Sequence, residues 1–407
     1  MTTDTHSSNR GWAVAMAGLG INLALGVLYT WSLFKTAIEK EFGWKGSQLN
    51  DPYAICCLVF AFAMILAGKC QDMFGPRLTA SLGGLLVGLG LALISMTDSY
   101  AIWVIGFGVL VGCGIGFGYS SATPPALKWF PPAKTGLVAG IVVAGFGLAP
   151  VYLAPTSQYL LAHFGLKQSM LILGSAFVLV VVGLSRFLQN PPAAYVAAPL
   201  NSPSAKSPAA GATAGEMLRS PMFYLLWITY MIGAGAGLMV IGSVSGMAKK
   251  SMGEYAFVAV AVMAIGNAAG RVVAGTLSDK IGRRTMLALV LAIQAGLMFA
   301  ASPITSDKSA LPLLIVLLAT LIGFNYGANL ALFPSFTKDF WGLKNFGINY
   351  GILFTSWGVG GFVFPKVQQT LTANSGGSFQ TSFMAAGVVL AIGALLALAI
   401  KAPKLTA

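Results

Sequence analysis

Long runs that are apolar at both odd and even positions alternate with short polar breaks along the whole chain. Twelve runs are read between the breaks: residues 12–34, 49–68, 78–97, 101–127, 136–161, 168–188, 221–246, 255–277, 285–303, 310–333, 346–370 and 379–400. A bilayer core of about 30 Å takes roughly 20 apolar residues as a helix, so each run is long enough to cross one. Membrane strands would alternate over about ten residues, and these runs do not. The pattern predicts an all-α membrane protein with twelve transmembrane helices. The polar opening MTTDTHSSNR leads into a run with no small-residue cleavage site, so the first span is read as retained rather than as a signal peptide.

The break after the sixth run, QNPPAAYVAAPLNSPSAKSPAAGATAGE, is rich in Pro, Ala and Ser and reads as a flexible linker. It divides the chain into a six-helix bundle over 1–190, a cytoplasmic linker over 191–218 and a second six-helix bundle over 219–407. The halves repeat. Gly68-Lys-Cys-Gln-Asp72-Met-Phe-Gly75-Pro-Arg77 returns 207 positions later as Gly275-Thr-Leu-Ser-Asp279-Lys-Ile-Gly282-Arg283-Arg284, and Tyr119 and Tyr326 share that offset. Parallel halves with a site near the midplane between them are the architecture of alternating-access carriers.

Composition narrows the class further. Hydrophobic residues make up 57% and charged ones 9%, against about 25% charged in soluble domains, so the solvent is lipid. The net charge of +13 would suit a nucleic-acid reader, but its distribution says otherwise. Alternating loops put fifteen Lys and Arg on the side that holds both termini and eight on the other, and Arg271 completes the twenty-four. Basic loops stay inside, so both termini are expected in the cytoplasm. The four cysteines have no metal or disulfide spacing, and His6 and His163 stand at a tail and a loop edge. An enzyme, a metal site or a bound cofactor is not expected.

All eleven acidic residues fall in loops or at helix ends, so no carboxylate neutralises the membrane interior. Arg271 lies eight residues before Asp279, about 12 Å inside the eighth span, where an arginine costs on the order of 3 kcal/mol or more. Its planar, permanently charged fork suits a carboxylate brought by a substrate; snorkelling to headgroups or bonding to backbone carbonyls is the alternative. Asn267, one turn earlier on the same face, can orient the guanidinium, bond a substrate hydroxyl or act as a packing amide. Tyr119, Asn325 and Tyr326 are further polar groups at bilayer depth.

The paired Gly-x-x-x-Asp-x-x-Gly-x-Arg element resembles the signature loop of the major facilitator superfamily. Asp72 with Arg77, and Asp279 with Arg283 and Arg284, are therefore expected to gate or scaffold the bundles, by an ion-paired latch or as a solvated turn. GVLYTW (26–31), GYSSATPPALKWFPP (118–132), NYGANLALFPS (325–335), NFGINYG (345–351) and Arg271 resemble the monocarboxylate transporters and the bacterial oxalate/formate antiporter. The resemblance implies that Arg271 binds a carboxylate and that Leu28, Tyr29, Tyr119, Tyr326, Phe354 and Trp357 line its site. Trp357 stands where the oxalate carrier has a second cation, and Leu28 and Asn267 stand where animal monocarboxylate transporters have a lysine and an aspartate. One cation suits one carboxylate. The expected function is transport of a small monocarboxylate with a proton, L-lactate first and pyruvate next, by a monomer in a bacterial inner membrane. The rival reading is an exchanger of the oxalate/formate type.

Overall fold

The computed structural model describes residues 3–45, 47–131, 134–192, 211–242, 244, 248, 252–253, 256–304, 312–376 and 378–403. Among these residues every regular element is a helix. The first, α1, runs over Thr3–Leu25, tightens to a 3-10 turn at Gly26–Thr30 and resumes over Trp31–Phe42. Gly43, with φ +70°, ends it in the left-handed conformation that spares glycine a Cβ clash. The next three are α2 (Ser47–Phe74), α3 (Pro76–Ser95) and α4 (Tyr100–Lys128), the last with a π-helical stretch at Val104–Val111. Pro76 opens α3 where a missing N–H costs nothing.

A continuous tract, Thr135–Ser185, breaks at Gly165 (φ +72°, ψ 177°), which separates α5 (135–164) from α6 (166–185). The second half holds α7 (Pro221–Ile241), α8 (Ala256–Ile281), α9 (Arg283–Ile304), α10 (Pro312–Trp341), α11 (Phe346–Asn374) and α12 (Gln380–Ala397). Among the described residues ten helical stretches, counting Thr135–Ser185 as one, are long and apolar enough to cross a membrane. The α11 helix is not among them, because buried Asn349, Thr355 and Ser356 and its glycines dilute its apolar content. The seventh apolar run was expected to continue to 246; α7 ends at Ile241, and residues 243 and 245–247 lie outside the described set.

The linker departs from the expected loose segment at its second end. Residues 193–210 lie outside the described set, but 211–219 are docked. The Ala212 N–H donates to Trp341 O (2.9 Å) and Asn349 Nδ2 donates to Ala212 O (2.9 Å). Thr213 and Glu216 then form a capping box on the short helix Ala214–Arg219, whose Met217 is fully buried. Reciprocal capping and one buried anchor fix a stretch whose composition alone suggests a coil.

Two crossings join the halves most closely, α2 with α11 and α5 with α8. A hydrophobic core runs continuously through both halves.

Candidate functional site

Arg271 is fully buried midway along α8. Its Nε donates to Asn267 Oδ1 (2.9 Å), so the residue one turn earlier does hold the guanidinium plane. One terminal nitrogen donates to the backbone oxygen of Val143 on α5, in the other half of the chain; a helical carbonyl keeps a second lone pair for such a bond. The other terminal nitrogen is buried with no well-aligned hydrogen bond, although the Tyr29 and Tyr119 hydroxyls approach the guanidinium. Among the described residues no carboxylate pairs with Arg271. A charge buried with donors to spare is a ready anion receptor, because the anion supplies both the missing hydrogen bond and the missing countercharge. Gly147 makes room for it: a Cβ there would lie 3.1 Å from Asn267 Oδ1 and 3.2 Å from Arg271 Nε.

Aromatic residues enclose the guanidinium. Tyr29, Tyr119 and Tyr326 stand close enough to act on its charge. The Tyr29 and Tyr326 hydroxyls share a hydrogen bond of 2.6 Å, and Trp357 Nε1 donates to the Tyr326 hydroxyl at 2.9 Å. Phe354 stacks on Trp357 at 5.1 Å between centroids and meets Tyr119 at 5.5 Å. Asn325 behaves differently: its Nδ2 donates to Leu321 O (3.0 Å) of its own helix, which satisfies it away from Arg271. Unexpected members of the enclosure are the Val143 carbonyl, Phe60 and Phe146, the last two packed on Tyr119 at 5.5 Å each. Tyr230 and Tyr350 lie beyond Phe354 with their buried hydroxyls toward each other, and that of Tyr350 also approaches Tyr119. Nothing in sequence separates such aromatics from those that face lipid.

A cavity of about 440 Å³ opens on the other side of the Tyr29–Tyr326 bond. Leu28 and Tyr29 belong to its lining and Arg271 does not; Lys35, Asn50, Lys366 and Gln369 line it as well. Tyr29 therefore faces the cavity while its hydroxyl belongs to the layer over the arginine, a thin lid of two hydrogen bonds.

The opposite end is closed by the repeated motif. Gly68 on α2 meets Gly347 on α11, where an added Cβ would sit 2.2 Å from Gly347 O; Gly275 on α8 meets Gly136 on α5, where it would sit 2.3 Å from Gly136 O. That approach lets each aspartate reach backbone N–H groups at the start of the partner helix, where an anion is favoured. Asp72 accepts from Ile348 N (3.3 Å), and Asp279 from Gly136 N (3.2 Å) and Leu137 N (3.3 Å). Arg283 pairs with Asp279 (2.5 Å) and with Asp339 (3.1 Å). The first copy differs from the expected ion pair: Arg77 Nε donates to Leu188 O (3.0 Å) and its NH2 to Gln189 Oε1 (3.3 Å), because α3 starts beside the end of α6. Arg284 is exposed and forms no ion pair among the described residues.

The chain matches the Major Facilitator Superfamily over residues 12–365, with an overlapping match over 250–406. It is 30% identical over 368 residues to the uncharacterized MFS-type transporter YhjX of Escherichia coli, covering 88% of each chain. It is 27% identical over 360 residues to the oxalate:formate antiporter of Oxalobacter formigenes, covering 86% of this chain and 81% of that one. Identity to Monocarboxylate transporter 11 of Mus musculus is 28% over 272 residues, 66% of this chain and 60% of that one. Its fold matches the fucose:proton symporter FucP of Escherichia coli with a TM-score of 0.67 at 13% identity, covering 96% and 98% of the two chains. The all-helical fold, the twice-used glycine-aspartate crossing and these matches make the chain a membrane transporter of the Major Facilitator Superfamily.

Proposed function

We propose that this protein carries a small monocarboxylate, L-lactate foremost and pyruvate next, together with a proton by alternating access. The observation that carries the reading is the fully buried Arg271 guanidinium, to which no carboxylate is paired among the described residues. On this reading the chain spans a bacterial inner membrane twelve times as a monomer. It is divided into bundles over 1–190 and 219–407, with both termini and the linker in the cytoplasm. The Asp72 and Asp279 crossings then close the cytoplasmic side, and the cavity faces outward.

The substrate carboxylate takes the terminal nitrogen of Arg271 that lacks an aligned bond and displaces the Val143 carbonyl from the other, giving a bidentate pair. Asn267 and Tyr119 lie where a 2-hydroxyl or 2-oxo oxygen can be bonded, and Leu28 with Phe354 and Trp357 offers an apolar wall to a methyl group. A second carboxylate would enter low dielectric without a counterion, a cost that disfavours dicarboxylates. Arginine does not release its proton, so on this reading the co-transported proton crosses on a group other than Arg271.

The test is labelled L-lactate uptake into proteoliposomes, with and without an imposed inward proton gradient, at zero membrane potential, with excess oxalate as competitor. Gradient-driven accumulation that oxalate leaves intact, and that Arg271→Gln abolishes at equal expression, is the expected result. Normal uptake by Arg271→Gln would overturn the site. The second reading, exchange of oxalate against formate, is favoured by the 27% identity to the antiporter. It predicts lactate-insensitive oxalate exchange, and the tryptophan at position 357 argues against it.

A further inference from the structure

We propose that the outer cavity is itself an anion site, built on Lys35 and Lys366, which collects a small carboxylate before the Tyr29–Tyr326 lid opens to Arg271. The inference rests on the carboxylate reading of Arg271. Both lysines line the same cavity of about 440 Å³, Lys35 from α1 and Lys366 from α11. That volume takes a three-carbon acid with several waters. Lys35 is partly buried, and its ammonium donates to a neutral acceptor, Asn50 Oδ1, at 2.8 Å. Lys366 stands over the Phe362 ring, 4.5 Å from its centroid, which steadies the ammonium without cancelling its charge. Neither lysine is ion-paired among the described residues.

One carboxylate, Asp51, lines the cavity, and its Oδ2 accepts from the Tyr100 hydroxyl at 2.7 Å. The lining itself is net positive, two cations against one anion, with Glu39 one turn along α1 opposing Lys35 from outside it. Lysines on the non-cytoplasmic side run against the usual loop bias, so topology does not account for this pair. Low-dielectric walls focus such a field and raise the local concentration of counter-ions. Leu28 and Tyr29 give the lining an apolar and aromatic wall, so a captured carboxylate is held at the lysines with its hydrocarbon end against that wall.

The experiment uses the full-length protein in proteoliposomes with two readouts. The first places a single reporter, Gln369→Cys, in the cavity, with Cys70 and Cys113 replaced by serine, and compares its reaction rates with an anionic and a cationic methanethiosulfonate. The Lys35→Gln, Lys366→Gln pair is expected to lower the anionic-to-cationic rate ratio about three- to tenfold at low ionic strength, and less in high salt. Replacing both lysines by arginine is expected to keep the ratio. The second readout is the initial rate of L-lactate uptake: the glutamine pair is expected to raise KM by a similar factor with Vmax unchanged. An unchanged rate ratio would overturn the site, as would a loss confined to Vmax. Arg271→Gln separates this proposal from the reading it rests on, because it should abolish uptake while leaving the reagent ratio as in the wild type. If the ratio responds but the wild type carries no carboxylate, the carboxylate reading falls and an anion site of another class remains.

Discussion

Gly68→Ala is the sharpest perturbation of the closed end. The new Cβ would sit 2.2 Å from Gly347 O, 2.3 Å from Gly347 C and 2.8 Å from Ile348 N, all backbone atoms of α11 that no rotamer change can move. Restoring ordinary contact, near 3.5 Å, requires α2 and α11 to part by about 1 Å. Overpacking of this kind costs typically about 1–3 kcal/mol, and the Ile348 N–H to Asp72 bond, already 3.3 Å, is lost with it. The cost falls on the state closed at this end and spares the opposite one, so it shifts the ratio of the two by about 5- to 150-fold. Spin labels at Met73→Cys and Thr285→Cys, both exposed and in different halves, report the separation in a background free of Cys70 and Cys113. The variant is expected to move population from the short to the long distance and to slow uptake. Gly296→Ala, whose Cβ would meet nothing within 4 Å on an exposed face of α9, is expected to do neither. Identical distance distributions for Gly68→Ala and the wild type would refute the reasoning.

Other outcomes follow from the same contacts. Asn267→Asp gives Arg271 an internal countercharge, expected to weaken lactate affinity about tenfold or more and to make uptake rise steeply as pH falls and the new acid is protonated; a flat pH profile would count against it. Tyr326→Phe removes both lid bonds, at about 1 kcal/mol each, and release of bound substrate to the cavity side, followed by stopped-flow exchange, is expected to accelerate roughly 5- to 30-fold; an unchanged rate would mean that Tyr29 and Trp357 close without it. Burial lowers the pKa of Lys35 from its ordinary value, against the opposing charge of Glu39. With Glu39, Asp51 and Lys366 the titratable groups around it, KM for lactate is expected to rise with pH as Lys35 loses its charge ahead of an ordinary lysine, and Lys35→Arg is expected to remove that rise. Counterflow between labelled and unlabelled lactate is expected to outpace net uptake, because the empty carrier must reorient with a bare arginine; equal rates would show that the return leg is not limiting.

Arg271 was legible because eleven acidic side chains all lie at helix ends and its distance from Asp279 can be counted along one helix. Asn267 was legible by the same arithmetic, being one turn away, and its bond to Nε follows from helix geometry alone. The acceptor on the other side was not, because Val143 contributes a backbone carbonyl, which every residue has and no sequence marks. Asn325 shows a related limit of sequence: an amide at bilayer depth can bond its own helix at i−4, as it does on Leu321 O. The motif points to an arginine partner within the turn, which Asp279 has in Arg283, whereas Arg77 turns to the end of α6 instead of to Asp72. Once paired glycines bring two helices together, backbone amides of the partner helix become donors as well, beside Arg283 at Asp279 and in place of an arginine at Asp72. The repeat told which residues would act alike, but contact between halves had no pattern to read.

The two closures differ in kind, and that difference orders the events of transport. At the Asp72 and Asp279 end, backbone rests on backbone at four glycines and two aspartates cap the partner helices, interactions that are short-ranged and vanish together when the helices part. Over Arg271 the cavity side is shut by two hydrogen bonds among Tyr29, Tyr326 and Trp357, which side-chain rotation alone can break. On the carboxylate reading, a substrate arriving from the cavity opens the weaker closure first and meets a guanidinium that ties α8 to α5 through Val143. Taking that nitrogen removes a bond between the halves and replaces a buried cation by a neutral pair, so binding lowers the cost of moving the halves at the site itself. The glycine crossings then part against a barrier that the empty carrier, still held by Val143 and carrying an uncompensated charge, meets in full.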